Sequence, residues 1–289
     1  MPELKNGQWE IDGVIFGEGT VYPTQPVVVG TPDMSTQDNV RPRVDGLTAG
    51  RDTFAGRSLT FDIGVIGPAR DDALEALEYA WRNDAGRQTP GSVVRLRYRR
   101  RNRTRTVFGR PRRFASTVGG RKAQFYTITA DFVVTDSMYY SDDEHVNTVN
   151  IVPPPAGGLI APLVAPLTTV RRSSAPGVIF VDGRLPAWLR IVIYGPILRP
   201  QVDIVGKWAI KFKDLNLAYD EWVEINPTPG GGYIRKNGAI NLGGALTADS
   251  PYLSKMVVPP GEQEIVLRGT DPTGTSYMQV FWRDTYASI

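Results

Sequence analysis

The chain has 289 residues, 41% of them hydrophobic and 10% aromatic, with a formal net charge of +3. Those values belong to folded domains, and the length allows one large or two ordinary cores. Cysteine is absent and His145 is the only histidine, which removes disulfides, thiolate metal sites, cysteine nucleophiles and Ser-His-Asp schemes.

No apolar run approaches the roughly 18 residues needed to span a bilayer, so no membrane insertion is expected. Met1-Pro2-Glu3-Leu4-Lys5-Asn6-Gly7 lacks the basic and apolar regions of a signal peptide, and synthesis in a cytoplasm is the expectation. Many glycines and prolines beside one convincing helix predict a mainly β fold.

In chain order, Trp9 to Phe16 reads as strand, Asp-Gly turn and strand, and Val27-Val28-Val29 as a further strand. A loop-rich stretch runs through Asp45-Gly46 and Gly50-Arg51-Asp52. Leu59, Phe61, Ile63 and Val65 then alternate with Ser58, Thr60, Asp62 and Gly64, the pattern of a half-buried strand. The only strong helix is predicted from about Asp71 to Asp84. Asp71 and Asp72 suit its start, Gly86 its stop, and Leu74, Leu77 and Trp81 share one face that packs on a sheet.

Val94, Leu96 and Tyr98 alternate with Arg95, Arg97 and Arg99, and Arg103 and Arg105 alternate with Thr104 and Thr106 beyond a turn near Asn102. This predicts a long hairpin bearing arginine on one side. Ala123 to Val134 reads as the last strand before a seam at Asp136 to His145. A Pro/Gly-rich linker follows, with Pro153-Pro154-Pro155 and Gly157-Gly158. Beyond it, strands are predicted at 189–194, 208–212, 221–225, 233–235, 265–267 and 278–282, with Asn237-Gly238 as a hairpin turn. Short strands at regular spacing predict a β-sandwich.

Catalytic and cofactor motifs are missing: no P-loop, Gly-x-Ser-x-Gly or EF-hand pattern occurs. Gly230-Gly231-Gly232 and Gly243-Gly244 open no helix and read as turns. Glu221 and Glu224, three apart on a strand, face opposite sides and do not form a glycosidase pair. His145, among Ser141-Asp142-Asp143-Glu144, reads as part of a solvated connector. Neither an enzyme nor a cofactor is expected.

The outstanding feature is a run of ten arginines without an acidic residue: Arg95, Arg97, Arg99, Arg100, Arg101, Arg103, Arg105, Arg110, Arg112 and Arg113. Taken from the net +3, these ten leave −7 for the rest of the chain. Three readings stay open: contacts with identical subunits or partners, a solvated face, and nucleic-acid phosphates. Only Tyr98 and Phe108 are interleaved as stacking aromatics, and no base-reading motif accompanies them, so sequence-specific nucleic-acid binding is not expected.

The order of features resembles the distal tail proteins of long-tailed (siphovirus-type) phages, especially minor tail proteins of actinobacterial phages. It is carried by Gly13-Val14-Ile15-Phe16, Asp45-Gly46 with Gly50-Arg51-Asp52, the helix ending near Trp81, and Ala130–Val134 followed by Asp136 and Tyr139-Tyr140. Further on it is carried by Trp188-Leu189-Arg190-Ile191, Asn237-Gly238, Pro259 to Ile265 and Val280-Phe281-Trp282-Arg283.

The resemblance implies an N-terminal ring (belt) domain over residues 1–145, a linker over 146–176 and a galectin-like β-sandwich over 177–289. It implies a structural virion protein of the tail tip, made in the host cytoplasm. Such a protein forms a hexameric ring that joins the tube to the tip, supports host attachment and lets DNA pass. Its implied partners are its own copies, the major tail (tube) protein, the tape-measure protein and tail-tip or baseplate proteins, with a host surface glycan as a further candidate.

The second reading is a carbohydrate-binding adhesion module, and a weaker third is a glycan-cleaving tail enzyme. True galectins use His-x-Asn-x-Arg and Trp-x-x-Glu-x-Arg segments; here His145 lies outside the second domain and Trp222-Val223-Glu224 has another spacing. Six copies would put about 60 arginines around passing DNA, so the cluster is expected to face protein rather than the lumen.

Overall fold

The computed structural model describes residues 3–117, 125–152, 177–228, 231–271 and 273–288. It is mainly β with one long helix, and the chain divides into two units. Unit 1 runs to Asp142 and resumes at Thr285; unit 2 is Asp143–Asp284. Unit 2 is thus inserted between two neighbouring strands of unit 1.

In unit 1, β1 (Gln8–Ile11) and β2 (Val14–Gly17) form the expected hairpin, with Asp12 and Gly13 both at positive φ. The longer elements that follow are β3 (Arg57–Ile66), α1 (Arg70–Arg82), β4 (Val94–Arg100), β5 (Arg103–Thr117) and β6 (Phe125–Val134), with the short β7 (Tyr139–Ser141) after them. The sheet order is β2-β1-β4-β5-β6-β3, and β7 pairs with both β5 and the C-terminal strand Thr285–Tyr286.

The alternation of β3 holds throughout: Leu59, Phe61, Ile63 and Val65 are buried. α1 lays Leu77, Ala80 and Trp81 on the sheet, where Trp81 meets Phe16, Phe61, Phe114 and Phe132 edge-on or tilted. Fully burying each such side chain contributes about 1.5–3 kcal/mol.

Two expectations fail locally. Val27-Val28-Val29 forms no strand, and Val28 is 89% exposed. The edge of β3 is already taken by residues 21–25, through Gln25 N–H to Asp62 O, Gly64 N–H to Pro23 O and Ile66 N–H to Val21 O. No ladder is left for the valines. α1 also stops earlier than Gly86: Asn83 adopts the left-handed conformation (φ 44°, ψ 53°), which asparagine tolerates, and Gly86 lies in a separate turn, Asp84–Arg87.

Unit 2 contains β8 (His145–Asn150), β9 (Gly177–Val181), β10 (Arg190–Tyr194), β11 (Ile197–Ile204), β12 (Trp208–Lys211), β13 (Trp222–Asn226), β14 (Tyr233–Lys236), β15 (Gly261–Thr270) and β16 (Tyr277–Trp282). One sheet has the order β8-β16-β10-β13-β14 and ends in Ile240–Asn241; the other has β9-β15-β11-β12. Their inward residues, among them Ile191, Val223 and Val280 from one sheet and Ile179, Val202 and Leu267 from the other, form a single core. This is the expected β-sandwich.

Residues 146–150, assigned to the linker by sequence, instead belong to β8, whose register along β16 runs from His145↔Trp282 to Asn150↔Tyr277. Val149 is its one buried side chain, too little periodicity to read as a strand. The expected linker residues Pro153-Pro154-Pro155 and Gly157-Gly158 lie outside the described residues.

Candidate subunit interface

The arginine-rich strands β4 and β5 pair from Arg100↔Arg103 at the turn to Val94↔Gly109. The two loop residues, Arg101 and Asn102, have φ of 49° and 59°, the geometry that suits a tight two-residue hairpin. Asn6 braces this turn: its Oδ1 accepts the Asn102 N–H at 2.9 Å and its Nδ2 donates to Asn102 Oδ1 at 3.1 Å.

That turn fixes a register which corrects the expectation of arginine on one side. Arg97 and Arg99 lie opposite Thr106 and Thr104, whereas Arg105 lies opposite Tyr98 and Arg103 opposite Arg100. Cross-strand partners share a face, so Arg95, Arg97 and Arg99 are on one face and Arg100, Arg103 and Arg105 on the other.

The ten side chains have different environments. Arg97 is buried, 5% exposed, and binds Asp142 twice: Nε to Oδ1 at 2.7 Å and Nη2 to Oδ2 at 2.5 Å. Its Nη1 lies 3.3 Å from Glu10 Oε2, itself 7% exposed. Thr106 Oγ1 donates to Asp142 Oδ1 at 3.1 Å, and Glu10 Oε1 accepts the Gly13 N–H at 2.7 Å. Burial alone would push the Asp142 carboxyl up, but the Arg97 hydrogen bonds and charge outweigh it and hold the group below the ordinary carboxylate range. The hydrogen bonds to Asp142 likewise raise Arg97 above its usual value against burial.

Arg99 reaches exposed Glu3 at 3.0 Å, and Arg105 stacks 3.4 Å over the Tyr286 ring. Arg110 donates to the carbonyls of Ser92 and Thr89, both at 2.7 Å. Arg95 is half-buried and adds to the positive field at Asp142. Arg100, Arg101, Arg103, Arg112 and Arg113 are exposed and make no ion pair among the described residues.

Sequence reasoning missed a second buried cluster. Arg57, 8% exposed, lies 4.1 Å over the Tyr139 ring and donates to Gly30 O at 2.9 Å. Nearby, Asp136 accepts hydrogen bonds from the Tyr140 hydroxyl (2.8 Å) and the Met138 N–H (2.9 Å). Burial pushes the Asp136 carboxyl up despite them, and burial beside Asp136 pushes the Tyr140 phenol up. The only signal was the polar-aromatic string after β6.

In unit 2, His145 is more than a solvated connector. Its ring stacks on Trp282 at 5.3 Å and its Nε2 lies 2.9 Å from Asp284 Oδ2. Glu221 and Glu224 do not converge: the first pairs with Lys236 at 2.7 Å, the second with Arg190 at 3.4 Å. Among the described residues no three His, Asp or Glu side chains are placed to hold a metal. An open cavity of about 580 Å³ is lined by Trp188, Pro227, Thr228, Gly232, Leu253 and Ser254, and the buried Trp188 indole N–H finds no acceptor among the described residues.

No protein-family model matches the chain, and no curated protein matches it. Among solved structures it is similar to the Dit protein of phage SPP1, described as a paradigm of the hub adsorption apparatus in phages infecting Gram-positive bacteria. The identity is 13% and the TM-score 0.57, over 96% of this chain and 98% of that one. A chain of the phage P2 baseplate in its activated conformation with Ca is similar at 11% identity and a TM-score of 0.56, covering 98% and 99%. A chain of the phage p2 baseplate with Sr gives 11% and 0.51, covering 95% and 97%.

The chain has the fold of phage hub and baseplate proteins. The likeness runs through both units, which sets it apart from a match to an isolated β-sandwich.

Proposed function

We propose that the chain is a structural protein of the virion, at the distal end of the tail of a long-tailed phage of an actinobacterial host. In this reading unit 1 forms a ring, hexameric as the resemblance implies, and unit 2 is a galectin-like sandwich carried by that ring. The ring joins the tail tube to the tip, contacts the tube, tape-measure and tip proteins, and leaves a passage for DNA. Its work is assembly rather than catalysis.

The observation that carries the reading is the end-to-end likeness to a hub protein and to baseplate chains, both units included. A long hairpin ending in exposed, uncompensated arginines supports it, because charges of that kind are compensated readily by a neighbour. The test is native mass spectrometry of the purified chain with negative-stain imaging of the same sample. Closed rings are the expected result; a monomer at every concentration and salt would overturn the ring.

One observation favours a second reading, carbohydrate binding in host attachment. The cavity of unit 2 is lined by Trp188, an aromatic residue, beside the hydroxyl-bearing Thr228 and Ser254. Glycan-array binding that is lost in Trp188→Ala would support it.

A further inference from the structure

Among the described residues, each copy carries two surfaces of opposite sign that no ion pair compensates. At the hairpin turn, Arg100, Arg101 and Arg103 are exposed and have no carboxylate partner among the described residues. On α1, the face turned from the core presents Asp72, Glu75 and Glu78, also exposed and without a cation, beside Tyr79, which is 75% exposed. Like charges three apart on a helix repel, so Glu75 and Glu78 disfavour each other in the isolated unit.

One copy does not pair these surfaces itself. Trp81, at the end of α1, packs on Phe114 of β5 and on Phe16 of β2, and its Nε1 donates to Asp131 O; at the other end Asp71 accepts from the Tyr126 hydroxyl. Among the described residues no ion pair joins Arg100, Arg101 or Arg103 to Asp72, Glu75 or Glu78.

We propose that the arginine-tipped turn of one copy docks on the outward acidic face of α1 of a second copy. The contact deepens the ring reading above and rests on it. It is head-to-tail: the two surfaces differ, so every copy that donates its turn still offers its helix. Contacts of this type close into rings when the rotation between copies allows. Arginine forks suit bidentate carboxylate pairing, and Tyr79 gives a guanidinium an aromatic face at the C-terminal end of the acidic strip. Because all these groups are solvent-facing, association falls with rising salt.

The test uses the full chain. Reversing the turn (Arg100→Glu, Arg101→Glu, Arg103→Glu) and reversing the helix face (Asp72→Lys, Glu75→Lys, Glu78→Lys) each touch exposed side chains, so both variants fold, as circular dichroism checks. Each is expected to weaken self-association by roughly a hundredfold or more in sedimentation and native mass spectrometry. Mixing the two variants restores assembly, since each supplies the surface complementary to the other.

Rings that persist in both variants would overturn this contact while leaving the ring intact. A wild-type chain that never associates would overturn the ring and the contact together. If the turn variant assembles normally but loses affinity for a DNA oligonucleotide, the turn is a phosphate contact and the proposal fails.

Discussion

Replacing Arg97 with alanine tests whether the most deeply placed arginine belongs to the fold rather than to a docking surface. The substitution removes the guanidinium that binds both Glu10 and Asp142, whose side chains are 7% and 16% exposed. Removing one partner of a buried pair costs about 3–5 kcal/mol, because the remaining charge is neither paired nor hydrated. A domain of this size loses about 2–4 °C of Tm per kcal/mol, so the expected drop is roughly 6–20 °C by calorimetry or circular dichroism. Arg101→Ala, at the exposed turn, is the control and stays within about 0.5 kcal/mol of wild type.

The pH dependence has a definite sign. Asp142 is held below its unfolded value of about 3.9, so the stability it contributes is complete above that value and is lost as pH falls through the folded one. In the alanine variant Asp142 loses the Arg97 hydrogen bonds and charge that hold it down, and its burial then pushes the carboxyl up. The gap between wild type and variant is therefore widest near neutrality and closes below about pH 4. A variant that melts within about 2 °C of wild type, or a gap that ignores pH, would refute the reasoning. Charge reversal at Arg97 is accordingly unsuited to probing assembly, since it unfolds what it is meant to test.

Three further outcomes follow from local geometry. Asn83→Gly, at the left-handed end of α1, is expected to match or exceed wild-type stability by a few tenths of a kcal/mol, whereas Asn83→Ala loses about 1 kcal/mol; paired thermal melts decide it. Gly109→Ala places a Cβ 2.2 Å from Val133 O and 2.6 Å from a Phe132 ring carbon, and should cost about 1–3 kcal/mol, read as an earlier urea midpoint. Deleting residues 143–284 and joining Asp142 to Thr285 through a short glycine linker should leave unit 1 with a single cooperative melt, because Tyr140 and Thr285 are already cross-strand neighbours; a molten product would show that unit 1 does not fold alone.

What could be read from sequence divides along local and distant causes. The alternation of Leu59, Phe61, Ile63 and Val65 and the stripe of Leu77 and Trp81 are local, and each became a strand or a helix with those residues buried. Asp12-Gly13 and Asn237-Gly238 specified turns by their own backbone preferences. The face of each arginine was not legible, because one loop residue more or fewer at Arg101-Asn102 would move every side chain of β5 to the other side. Nor was the burial of Arg97: its partners lie 87 residues before it and 45 after it, and nothing near Glu10 or Asp142 marks them as ligands for a guanidinium. The Val27-Val28-Val29 strand failed for the same reason. A β-branched run is a strand only where an edge is free to receive it.

The sorting of the arginines also alters the electrostatics of a tail ring. Counted from sequence, all ten are open charges, and a ring that turned such clusters to its lumen would bind phosphate strongly. In the folded chain Arg97 and Arg99 are matched by Asp142, Glu10 and Glu3, Arg105 is spread over Tyr286, and Arg110 is spent on backbone carbonyls. The charge open to a partner is concentrated at Arg100, Arg101 and Arg103, with Arg112 and Arg113 farther along β5. A neighbour's Asp72, Glu75 and Glu78 would neutralise the first three, so the same contact that closes a ring would also remove its affinity for the genome. A hub that both assembles by charge and releases DNA requires its cations to be matched by carboxylates of its own copies. In the proposed contact the positive turn of one copy and the negative helix of the next would supply that match, which no ion pair within one copy provides among the described residues.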